Sequence, residues 1–120
     1  AVKAAKDEGI VPGGGTALVR CAPKRPAGGY KDPASEIVWG AVCEPLRQMA
    51  LNAGCGPDVV LDSVRKAKGN KGWDFTAGKI VDMIEQGIVD PAKVTRCALQ
   101  NAASVAGALI TSGYAIVEGE

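Results

Sequence analysis

Three consecutive glycines, Gly13-Gly14-Gly15, are followed by Thr16-Ala17-Leu18-Val19-Arg20, a run compatible with a helix. A glycine turn feeding a helix N-terminus presents free backbone N–H groups to an anion, and the helix dipole favours negative charge there. The run lacks the Gly-Lys-Ser/Thr of a phosphate-binding loop and the spacing of the dinucleotide motif. Alone, such a triplet is more often a tight turn than a phosphate cradle. Two further stretches carry candidate chemistry. Trp73-Asp74-Phe75-Thr76-Ala77-Gly78 is aromatic and turn-rich, and reads as a hairpin-like excursion. Asp90-Pro91 reads as a helix start, with Asp90 as N-cap and Pro91 at the first helical position.

Much chemistry is excluded. The chain has no histidine, so His-based triads, His–metal sites and histidine proton shuttles are out. Cys21, Cys43, Cys55 and Cys97 form no Cys-x-x-Cys, which removes zinc-ribbon and thioredoxin-type readings. They are expected to be reduced and to act as small hydrophobes. With 14 Lys+Arg against 13 Asp+Glu, the net charge is +1. A generic nucleic-acid binder needs a basic excess, and Lys24-Arg25 and Lys66-Ala67-Lys68 are too short to supply one. Asp7, Glu8, Asp32, Asp58, Asp62, Asp82 and Glu85 are expected on solvated faces or at caps. Cys97 to Val117 carries no charge, but Gln100, Asn101, Ser104, Thr111 and Ser112 make a membrane span costly. It reads as a buried helix and a following strand.

The elements that must position these residues are mostly helical. Length 120 suits one compact domain or a piece of one. Gly and Ala are abundant while Phe, Trp and Tyr together number five, so backbones must approach across small side chains, or packing must be borrowed from other chains. Ala1 to Glu8 is rich in helix formers and stops at Gly9, with the helix start expected before Ala1. Pro23 to Pro33 is a loop. Asp32 or Ser35 then caps a helix carrying Ile37, Val38, Ala41, Val42, Leu46, Met49 and Ala50, with a kink expected at Pro45 and stops at Gly54 and Gly56. Pro57-Asp58 opens a shorter helix with Val60, Leu61 and Val64 on one face, then a polar loop from Lys66 to Gly72. Ile80 to Glu85 is compatible with a helical turn or two, ending at Gly87. The last helix carries Val94, Cys97, Ala98, Val105, Ala106 and Leu109, with Gly113 stopping it and Tyr114 to Val117 as a short strand. The fold class is therefore all-α, with a small hairpin-like region near 73–78 and a terminal strand.

Four stretches in order resemble one family: EGIVPGGGTAL, EPLRQMALNAG, GWDFTAGKIVDMIEQGIVDPAKVTR and ALQNAASVAGALITSGYAIV. They are similar to the C-terminal half of the equatorial domain of group I chaperonins, the ATP-driven protein-folding rings. The resemblance covers nearly all of residues 1–120, apart from the Pro23–Ser35 loop. It implies that Gly13, Gly14 and Gly15 form a nucleotide-contacting turn, with Gly14 closest. It implies that Asp74, with Phe75 and Thr76, lies near the adenine, although the family usually has small residues where Phe75 and Thr76 stand. It implies that Asp90 binds the ribose hydroxyls. The implied cofactor is ATP or ADP, with Mg2+ and K+ held by parts outside these 120 residues. The family's phosphate-binding threonine loop and catalytic carboxylate do not occur in this sequence, nor does the apical domain. The isolated chain is therefore expected not to hydrolyse ATP.

The implied partners are identical subunits in a heptameric ring, with a co-chaperonin and unfolded clients engaged through the apical domain, and neither nucleic acid nor membrane. The implied compartment is the bacterial cytoplasm or an organellar matrix or stroma. The stretch from Leu46-Arg47-Gln48 to Val59 resembles the surface where two rings meet. Cys55-Gly56 stand before Pro57 where several relatives carry an acid, so a weaker or rearranged ring–ring contact is expected. A second reading is a stand-alone helical interaction module without ATPase activity.

Overall fold

A computed structural model describes residues 2–21 and 25–112. The chain divides into two compact units, one of residues 10–90 and one of residues 1–9 with 91–120.

The first unit opens with strand β1 (Ile10–Pro12), then the glycine turn and a short helix α2 (Thr16–Cys21). Helix α3 (Pro33–Asn52) is started by Asp32, whose side chain accepts from the Ala34 amide at 3.1 Å and the Ser35 hydroxyl at 3.1 Å. Pro33 sits in its first turn, where a missing N–H costs nothing. The helix runs unbroken across Pro45. Helix α4 (Pro57–Lys66) again starts on proline. Strands β2 (Lys71–Asp74) and β3 (Lys79–Asp82) pair antiparallel, with Trp73 opposite Ile80 and Asp74 opposite Lys79. Strand β4 (Val89–Pro91) pairs with β1.

The core lies between α2, α3 and α4. Val19, Val42, Cys43, Leu46, Ala50, Val60, Leu61 and Val64 are buried together. Leu46, Ala50 and Val42 repeat at four-residue spacing, so one stripe of α3 faces inward. Trp39, Trp73, Phe75 and Ile80 pack around the edge. Cys43 acts as the small hydrophobe expected, whereas Cys21 is exposed.

The second unit pairs helix α1 (Val2–Glu8) with helix α5 (Ala92–Ser112). Arg96 grips Glu8 with two bonds, Nε to Oε1 at 2.9 Å and Nη2 to Oε2 at 2.6 Å. Lys93 bonds Asp7 at 3.1 Å. The Ala92 amide donates to the Gly9 carbonyl at 3.0 Å.

Four expectations are corrected. Residues 80–85 are not helical: Lys79–Asp82 is a strand, because the hairpin closed by Asp74 supplies it with a partner. After it, Asp82 accepts from the Glu85 amide at 3.1 Å and turns the chain. Asp90 is not an N-cap: it lies inside β4 with Pro91, the helix begins at Ala92, and the Gly9 carbonyl takes the Ala92 amide. Ile37, Val38 and Met49 are exposed, since the face of α3 turned to the core is Val42, Cys43, Leu46 and Ala50. Helix α5 has no buried residue among those described, so its apolar residues are not a core within this chain. The Tyr114–Val117 strand lies outside the described residues.

Candidate functional site

The glycine turn joins β1 to α2. Gly13 is buried and its amide donates to the Ile88 carbonyl at 2.8 Å, while its own carbonyl accepts from the Thr16 amide at 3.1 Å. A side chain at Gly13 would meet the Ile88 oxygen at 3.1 Å. Gly14 has φ +63°, in the left-handed region that glycine enters without steric cost. A Cβ there would lie 3.1 Å from Met83 Cε and 3.7 Å from the Trp73 carbonyl oxygen. The turn is thus pinned on one side to the segment that enters Asp90, and floored on the other by the residue before Asp74. Gly13–Gly15, Asp74, Phe75, Thr76 and Asp90 all belong to the same unit.

Asp74 ends β2. Its Oδ1 accepts from the Thr76 amide at 2.9 Å and the Ala77 amide at 3.2 Å, and its carbonyl accepts from the Gly78 amide at 2.7 Å. One carboxylate oxygen therefore shapes the hairpin turn while the other has no partner among the described residues. Phe75 is half-buried and packs against the core, so it is a wall rather than a free aromatic. Thr76 is exposed. Asp90 is exposed, and its carboxylate has no hydrogen bond or ion pair among the described residues. Both of its oxygens can accept from a diol.

Two features escaped the sequence reading. Thr16 is fully buried, and its hydroxyl has no partner among the described residues. It lies against Gly72, where a Cβ would fall 2.3 Å from Thr16 Oγ1. Met83, also fully buried, forms the floor under Gly14. Thr16 follows the triplet directly, and that adjacency was its only signal. Met83 had none, because its stretch reads as helical.

Chemically the arrangement offers close backbone approach at the turn and carboxylate acceptors on Asp74 and Asp90. These suit a nucleoside's ribose hydroxyls and base amines. No group of three acid or cysteine side chains able to hold a metal ion occurs among the described residues. No described helix is long and apolar enough to cross a membrane.

A profile described as the TCP-1/cpn60 chaperonin family matches residues 1–120. Among solved structures, the chain is similar to one titled "Crystal structure of group III chaperonin in the open state". The TM-score is 0.74 and the identity 30%, over 90% of this chain and 24% of that one. The chain thus spans about a quarter of that relative's length. Matched over its whole length in sequence, and sharing this mainly helical fold, the chain belongs to the TCP-1/cpn60 chaperonin family.

Proposed function

We propose that the chain supplies one wall of the nucleotide pocket of an ATP-driven protein-folding chaperonin, as the C-terminal half of its equatorial domain. The observation that carries this reading is the glycine turn held between the residues that lead into Asp90 and Asp74. Gly14 would let the nucleotide approach the backbone, Asp90 would accept from the ribose hydroxyls, and Asp74 would face the base. The bound nucleotide supplies the phosphoryl chemistry. This chain's residues orient its nucleoside end, and the wall made by Phe75 limits water on that side.

The four quoted motifs favour the group I branch. On that reading the partners are identical subunits in a heptameric ring, a co-chaperonin and unfolded clients, in a bacterial cytoplasm or an organelle. Arg47 bears on ring stacking. Its guanidinium is bonded to Asp58 within the chain, with Glu44 also 3.6 Å away. An arginine already paired within its own subunit supports a rearranged ring–ring contact.

The test is binding of a fluorescent ADP analogue to the chain and to its Asp90→Ala variant. Loss of saturable binding in the variant supports the reading. Equal binding by both overturns it.

A further inference from the structure

A second site of different character lies in the same unit. It is a groove of about 650 Å³ between the end of α4, the start of the α4–β2 turn and Trp39. None of Gly13–Gly15, Asp74 or Asp90 lines it. Its size is that of a small-molecule site. Among the described residues, five cations line it, Arg20, Arg25, Arg65, Lys66 and Lys68, against a single acid, Asp62.

The pairing inside the groove leaves a cationic remainder. Asp62 is taken by Lys66 at 2.9 Å, and Arg25 is bonded to Glu36. Arg20, Arg65 and Lys68 have no ion pair among the described residues. Arg20 is fixed rather than mobile: Nε donates to the Gly69 carbonyl at 3.2 Å, Nη1 to Val64 at 2.6 Å and Nη2 to Lys71 at 2.7 Å. A guanidinium has five N–H donors, so two remain for a ligand. Arg65 and Arg25 both lie over the Trp39 ring, at 5.0 and 4.9 Å from its centroid. The ring orients two flat guanidinium groups beside the cavity. Planar, pre-positioned guanidinium groups match phosphoryl oxygens bidentately and lose little entropy on binding. The three unpaired cations come from α2 and from the end of α4 with the turn that follows it, and converge on one small volume. A compact anion of several charges neutralises them together, whereas an extended acidic peptide would spread its carboxylates beyond the groove.

We propose that this groove binds a small soluble anion carrying linked phosphoryl groups, held by Arg20, Arg65 and Lys68. It does not depend on the nucleotide reading of the glycine turn. The experiment is a titration of the chain with inorganic pyrophosphate, followed by amide and indole NMR. Saturable shifts at the Trp39 indole N–H and the Gly69 amide are expected. In Arg65→Gln/Lys68→Gln the apparent Kd should rise about tenfold or more, since each charge-assisted bond contributes substantially. Arg65→Lys/Lys68→Arg keeps both charges but loses the planar fork at position 65, and should bind more weakly than the native chain and more tightly than the glutamine variant. Lys68→Glu, at an exposed turn position, gives a second weakened variant in case the double one folds poorly. Shifts confined to Gly13–Gly15 and Asp74 would overturn the proposal. So would unchanged affinity in the glutamine variant, or a response to a poly-glutamate peptide with none to pyrophosphate.

Discussion

Gly15 and Gly40 show how little residue type says without its surroundings. Gly15 has φ +79°, and a Cβ there would sit 3.0 Å from the Leu46 backbone. The neighbour is backbone at the centre of the core and cannot step aside. Gly15→Ala should cost roughly 1–3 kcal/mol from the backbone conformation alone, with the contact adding to it. Gly40 lies inside α3 with nothing within 4 Å of its Cβ position. Gly40→Ala should stabilise by about 0.5–1 kcal/mol, because alanine loses less backbone entropy in a helix. Urea unfolding of the two variants checks both signs at once. Thr16 makes a third case. Its buried hydroxyl has no partner among the described residues, so Thr16→Val keeps the shape and removes a polar group that burial penalises. A gain of about 1 kcal/mol is expected, and a loss would mean that the hydroxyl does bond in solution.

At the scale of elements, legibility followed local chemistry. Helix α4 was plain in the sequence because Val60, Leu61 and Val64 have one face and all three are buried. The α3 start was plain because Asp32 and Pro33 satisfy and occupy the first turn by themselves. Strand β3 was not. Lys79-Ile80-Val81-Asp82 acquires its conformation from pairing with β2, and only the Asp74 turn makes that pairing local. The glycine-turn residues were named as a candidate nucleotide contact through family likeness, while the floor formed by Met83 depended on that same hairpin. Acid should loosen elements whose ends are tied by carboxylates. Glu8 is held below its ordinary 4.5 by its hydrogen bonds from Arg96, and Glu36 by its bond from Arg25 and then the Tyr30 amide. A depressed carboxylate pKa means that the folded state favours the anion. The contribution is therefore present above the ordinary carboxylate range and is lost as pH falls through the folded pKa. Melting temperature should be flat between about pH 6 and 8 and fall below about 4.5. Glu8→Gln/Glu36→Gln should flatten that acid limb. An unchanged limb would assign the acid sensitivity elsewhere.

For the whole molecule, the composition that first suggests borrowed packing finds its counterpart in α5. Val94, Leu99, Val105, Leu109 and Ile110 are 42–76% exposed, and the chain covers only 24% of the structural relative's length. Phosphoryl transfer rests on positioning and on cations that neutralise charge developing on the transferred group. Among the described residues, the candidate side chains of this site are Asp74 and Asp90, both acids, and neither arginine nor lysine is among the atoms that lie nearest Gly13, Gly14 and Gly15. Two isolated carboxylates can hold a ribose and a base but cannot offset phosphate charge. Among the described residues, Arg20, Arg25, Arg65, Lys66 and Lys68 line the other groove. Nucleotide binding and turnover should therefore separate. The chain is expected to release phosphate from magnesium–ATP no faster than buffer, while retaining ADP binding that Asp90→Ala removes. Phosphate release measured beside that binding curve decides the matter: magnesium-dependent turnover by the chain would show that it carries phosphate-positioning groups that the glycine turn does not reveal.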